Sequence, residues 1–94
     1  MTREQFEAIT KWQRETFPGA SPLSKIAHLK QEVEELRIDL EAERPSRKSE
    51  FADCFMLLFG AAASDGMTYD DISACIDAKM EINKLRKWGK PDKN

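Results

Sequence analysis

The chain has 94 residues, 40% hydrophobic and 34% charged, with a net charge of −2. This describes one folded domain, residues 1–94, rather than a disordered segment, and the charge offers no basic footprint for DNA or RNA. The longest uncharged run, residues 54–64, is too short to span a bilayer, and the N-terminus MTREQFEAIT has no apolar signal region. Cys54 and Cys75 lack CxxC spacing and lie in apolar helical patterns, so both read as reduced core thiols of a cytoplasmic protein.

The first predicted helix runs from Arg3 to Thr16. Thr2 and Gln5 have the spacing of a capping box, Phe6, Ile9 and Trp12/Gln13 share a side, and Pro18-Gly19 ends it. The second runs from Pro22 to Glu43, with Ser21 as N-cap and proline in the first helical position. Ile26, Leu29, Val33, Leu36 and Leu40 form its apolar seam in alternating three- and four-residue steps, the pattern of bundle packing. Beside the seam runs a second stripe, His28, Glu32, Glu35 and Asp39, while Lys30, Glu34, Arg37 and Glu41 face water.

A polar break precedes the third helix, expected from Glu50 to Asp65 with Ser49 as cap and Gly66 just past its end. Its middle, CFMLLFGAAA, is apolar all round, which predicts a central, buried helix. Thr68 caps the fourth helix, which carries Asp70 and Asp71 in its first turn and leaves the helical pattern at Gly89. Ile72, Cys75, Ile76 and Met80 form its expected core face, and Lys79, Asn83 and Arg86 an adjoining polar stripe. No segment alternates with the period of a strand. The class is therefore all-α, and so small a helical chain is expected to finish its core against a second copy.

Two acid pairs carry the chemistry: Glu32 with Glu35, and Glu50 with Asp53, each at i, i+3 and so on one helix face. By spacing alone such pairs are commonly solvated surface charge. Here the first pair flanks the apolar seam and the second leads into Leu57 and Gly60, so both stripes point toward an interhelical crevice. Clustered oxygen donors suit a hard cation, Mg²⁺ with Mn²⁺ as a substitute. Lys79, Asn83 and Arg86, with Lys87 close by, suit a triphosphate. His28 reads as a supporting residue rather than a ligand. Trp12 reads as core packing, whereas Trp88, past the last apolar step, is freer to act as a lid or a subunit contact.

The ordered set HLKQEVEEL, EFADCFMLL and DAKMEINKLRKWGKPD resembles the MazG-like all-α nucleoside triphosphate pyrophosphohydrolases. The resemblance is closest to their small single-domain dATP/dGTP branch, often found in phages and prophages, and extends from Trp12 to the C-terminus. It implies a four-helix MazG-like bundle completed by homodimerisation, in which dimers often pair into tetramers. It also implies hydrolysis of a purine nucleoside triphosphate to the monophosphate and pyrophosphate. Glu32, Glu35, Glu50 and Asp53 would hold Mg²⁺, with Glu35, beside Glu32, taking a proton from water. Lys79, Asn83, Arg86 and Lys87 would bind the triphosphate or sugar, and Phe17, Ser24 and Trp88 would serve the base. The competing expectation is a non-catalytic helical interaction module of a phage or bacterium. A di-iron bundle is disfavoured because no Glu-x-x-His motif is present.

Overall fold

The computed structural model describes residues 1–87; the expectations for Trp88 and Gly89 lie outside the described residues. Within them are four helices, α1 (Arg3–Thr16), α2 (Pro22–Glu41), α3 (Arg47–Ser64) and α4 (Tyr69–Leu85), and no strand.

Local chemistry sets most of the boundaries. The Thr2 hydroxyl accepts from Gln5 N at 3.1 Å, so the Thr2 half of the expected capping box forms. At α2, Ser21 and Ser24 make a complete box, as Thr68 and Asp71 do at α4. Both α2 and α3 close with the same C-terminal motif, in which the N–H two residues past the cap returns to the last turn. After α3 this is Met67 N to Ala62 O, with Gly66 at φ 98° as the left-handed residue. After α2 it is Arg44 N to Asp39 O, and the left-handed position is occupied by Glu43 at φ 55°. A Cβ there costs energy that glycine would not incur. Glu43→Gly is therefore expected to raise stability by about 0.5–1 kcal/mol in urea unfolding; a fall would show that the Glu43 side chain makes a compensating contact.

Four boundaries differ from expectation, the end of α3 by one residue, at Ser64 instead of Asp65. α2 stops at Glu41, two residues before the expected Glu43, where that turn begins. α3 starts at Arg47, three residues before Glu50, and Ser49 does not cap it. Ser46 occupies the cap position, but its hydroxyl donates to Asp39 Oδ2 at 2.6 Å across the hairpin, and Ser49 Oγ only returns to Ser46 O. α4 ends at Leu85, because Arg86 is extended (ψ 145°); Arg86 and Lys87 therefore follow the helix instead of continuing its stripe.

The α2–α3 antiparallel hairpin is the principal packing unit, and α1 lies across α3. Gly60, buried on α3, lets α1 come close: a Cβ there would stand 2.1 Å from Gln13 Oε1. The Gln13 Nε2 donates to Met56 O at 2.9 Å, tying α1 to the α3 backbone. Phe6 is buried among Phe59 and Tyr69, with ring centres 6.0 and 5.9 Å away, a burial worth roughly 1.5–3 kcal/mol. Arg3 joins Asp70 at 2.7 Å and lies over the Tyr69 ring. These contacts hold the start of α4 to α1. α4 makes no extensive packing with α2 or α3, and none of its residues is buried.

The apolar faces are thus less covered than their periodicity predicts. On α2, Leu36 is buried, but Ile26, Val33 and Leu40 of the same seam are exposed. α3 is central in position but not buried all round, since Phe51, Phe55 and Leu58 face outward. On α4, Ile76 and Met80 are exposed, and so is Cys75, which is not a core thiol; Cys54 is half-buried. The accessible surface is 7438 Å². A compact monomer of 10.8 kDa would expose about 5,500 Å².

Candidate active site

The α2 stripe His28, Glu32, Glu35 and Asp39 faces the first two turns of α3, which carry Glu50 and Asp53. The hairpin turn fixes this register. Asp39, 5% exposed, accepts from Arg44 Nη1 at 3.0 Å and from Ser46 Oγ at 2.6 Å. Its backbone carbonyl receives Arg44 N at 3.0 Å. One carboxyl-bearing residue thus gathers both ends of the turn and sets the start of α3 beside the end of α2.

The acids then fall into two contacts. The Glu35 carboxyl lies against that of Glu32. Sharing a hydrogen bond with it and repulsion from its charge push the Glu35 pKa up; Asp39 adds to this and His28 opposes it. Glu50 lies against Asp39. That contact, then burial, then repulsion from Asp39, Glu35 and Glu32, holds Glu50 above the usual glutamate range. Asp39 moves the other way, kept low first by the Ser46 hydroxyl and further by Glu50 and Arg44. His28 Nε2 lies 3.3 Å from Glu32 Oε1. The charges acting most strongly on Glu35 and Glu50 come from α2.

Two observations bear on a cation here. Glu50 Oε2 is sealed from solvent and among the described residues has no partner beyond its contact with the Asp39 carboxyl, a buried oxygen that a counter-ion would satisfy. The carboxylate donors are hard oxygens, the kind Mg²⁺ selects. Among the described residues, however, no three acid, thiol or imidazole groups converge closely enough to form a ready ligand set. The acids meet in pairs rather than in a group of three, so the donor chemistry fits the ion while the described side chains do not form a ready ligand set.

Beside the acids opens a cavity of about 350 Å³. Trp12, Phe17, Met56 and Leu57 supply apolar wall, and Glu32 and Asp53 supply its acidic margin. Phe17 and Ser24, both expected at a base pocket, lie on it, and so do Gln13, Lys25 and His28. Ser24 Oγ is committed to its helix cap, accepting from Ser21 N and donating to Ser21 O, each at 2.9 Å. Trp12 corrects the core-packing expectation: it is 53% exposed and stands edge-on to Phe17, with ring centres 5.8 Å apart. The residue directed inward is its neighbour Gln13.

The α4 helix packs chiefly on α1 and not extensively on the α2–α3 hairpin that carries the acids. Lys79 is exposed on α4, Asn83 is half-buried, and Arg86 and Lys87 follow the helix end. Sequence reasoning missed Asp39 and Lys25. Asp39 carried a signal, its four-residue step from Glu35. Lys25 carried none, because a lysine in a first helical turn normally reaches water.

A helical chain that sets clustered carboxylates beside an aromatic-walled cavity has the parts of a hydrolase acting on nucleoside triphosphates. The family model for dATP/dGTP pyrophosphohydrolase matches residues 5–94, and the chain belongs to that family. No curated protein and no solved structure matched. Membership selects the hydrolase over the interaction module. Among the described residues no helix is long and apolar enough to cross a membrane.

Proposed function

We propose that the protein hydrolyses a purine deoxynucleoside triphosphate between its α and β phosphates, releasing the monophosphate and pyrophosphate, with Mg²⁺ held by Glu32, Glu35, Glu50 and Asp53. The observation that carries this reading is the shared boundary of the two features: Glu32 and Asp53 belong both to the acid group and to the rim of the apolar cavity. A base seated against Trp12 and Phe17 directs its phosphates toward those acids. A flat aromatic ligand gains its affinity from such walls.

When bound, Mg²⁺ supplies charge neutralisation at the phosphate oxygens and lowers the pKa of a water molecule. Glu35 accepts the proton from the attacking water. Its raised pKa brings it nearer to the operating pH, which favours proton transfer. Glu32 is steadied by His28 on one side. Lys79, Asn83, Arg86 and Lys87 serve the phosphates from a second copy of the chain, because α4 does not lie against the acids of its own chain. The uncovered faces of α2, α3 and α4, and the surface in excess of a compact monomer, support a homodimer.

An end-product assay tests the reaction. With Mg²⁺ and each common NTP and dNTP, monophosphate and pyrophosphate from a purine deoxynucleotide are expected, with Mn²⁺ able to replace Mg²⁺. Diphosphate and orthophosphate would discard the α–β assignment.

A further inference from the structure

Lys25 stands apart from the other cations of the described chain. It lies one turn into α2 and is only 9% exposed. It lines the cavity of about 350 Å³ and an adjoining one of about 190 Å³. Among the described residues no carboxylate is paired with it and no side-chain hydrogen bond engages its ammonium. The side-chain polar atoms that are sealed and unpartnered there are Gln13 Oε1 and Glu50 Oε2. The Lys25 Nζ is therefore not sealed, and its largely buried side chain lines both cavities. A cation so placed and without a partner is completed by a ligand that brings acceptors.

Glu32 and Asp53 form the acidic margin of this cavity, assigned above to the metal, and the other polar groups on its wall are already engaged. Ser24 serves its cap, His28 faces Glu32, and Gln13 gives its Nε2 to Met56 O while its Oε1 is shut against Gly60. What remains is a buried group with three donors and no acceptor. It is complementary to a ligand edge made of acceptors, and it opposes one that presents a donor.

Purines differ in this respect. Guanine carries O6 and N7 side by side, both acceptors, whereas adenine sets an amino donor next to N7. We propose that Lys25 reads the O6/N7 edge of guanine in the cavity and makes this chain discriminate dGTP from dATP. This rests on the cavity being the base site of the proposed hydrolase. Lys25 acts here as a specificity residue and takes no part in the chemical step.

The test compares kcat/KM for dGTP and dATP in the wild type and in Lys25→Met, which keeps the apolar stem. The wild type should favour dGTP, and the variant should lose about ten- to a hundredfold on dGTP while dATP changes less than about threefold, so that the ratio collapses. Wild-type turnover of 7-deaza-dGTP, which lacks the N7 acceptor, gives a measure free of any folding defect in the variant; a loss of about tenfold against dGTP is expected. Equal losses on both bases in Lys25→Met, unchanged kcat/KM for 7-deaza-dGTP, or a wild type indifferent to the base would each overturn the assignment and leave the hydrolase reading standing. A wild type that neither cleaves dGTP or dATP nor binds dGMP or dAMP in calorimetry would overturn both.

Discussion

Glu35→Gln is expected to lower kcat by about 10²- to 10⁴-fold while leaving the far-ultraviolet helical signal intact and making the metal-free protein more stable. The two effects have one cause. Glu35 is held against Glu32 with its pKa raised by that contact, and Glu50 is raised by Asp39, by burial and by the α2 acids. Ionising either one in the folded chain therefore costs more than in the unfolded chain. A neutral amide removes one charge from the group and relieves its neighbours, but it cannot accept the proton or serve as an anionic ligand.

The same repulsion fixes the pH dependence. For a carboxyl whose folded pKa is raised, the folded chain binds more protons than the unfolded one between the two pKa values, so stability falls as pH rises through that window. The metal-free protein should therefore gain stability as the pH is lowered from neutral through the raised values of Glu35 and Glu50. Asp39 is held low, and its contribution is lost only below the ordinary aspartate range, as acid protonates it. Saturating Mg²⁺ should raise the wild-type melting temperature at neutral pH by about 5 °C or more, and by less in Glu35→Gln. Turnover within threefold of wild type, or a variant less stable than wild type without metal, would remove Glu35 from the centre.

What the sequence made legible follows the range of each interaction. Thr2, Ser21-Pro22, Gly66 and Thr68 act on backbone groups within a few residues, and each could be read from its neighbours. Ser46 and Ser49 were equally able to cap α3; the choice lay with Asp39, seven residues before Ser46 and across a turn that spacing does not describe. The stripe from His28 to Asp39 was visible as periodicity. That its last member would meet Glu50 depended on where α2 stops, and that was set by Glu43 entering the left-handed region. Trp12 and Gln13 differ by one helical step, about 100°, and periodicity could not decide which of them turns inward. Apolar stripes on α2, α3 and α4 were likewise plain, but a stripe states which face avoids water and not what covers it.

Phe55→Glu is expected to halve the mass of the particle in solution and to lower activity by at least about tenfold. Phe51, Phe55 and Leu58 follow one another at steps of four and three, so they form a single outward face of α3, and Phe55 at its centre is 56% exposed. A charge there leaves the single chain's packing unchanged, since the side chain already faces outward, but it places a carboxylate in any apolar contact that covers the face. The activity should fall with the mass because of where α4 lies. It is fastened at its start to α1 by Arg3, Asp70, Tyr69 and Phe6, and it does not pack extensively on the α2–α3 hairpin that carries Glu32, Glu35 and Glu50. In the proposed dimer, the second copy supplies the α4 cations to the phosphates held at those acids. Mixing Phe55→Glu with an excess of wild type should therefore restore less activity than adding wild type to Glu35→Gln, whose intact α4 can still serve a partner's acids. A wild-type protein that sediments as a monomer at assay concentration while fully active would show that one chain suffices, and α4 would then have to swing onto the hairpin when substrate binds.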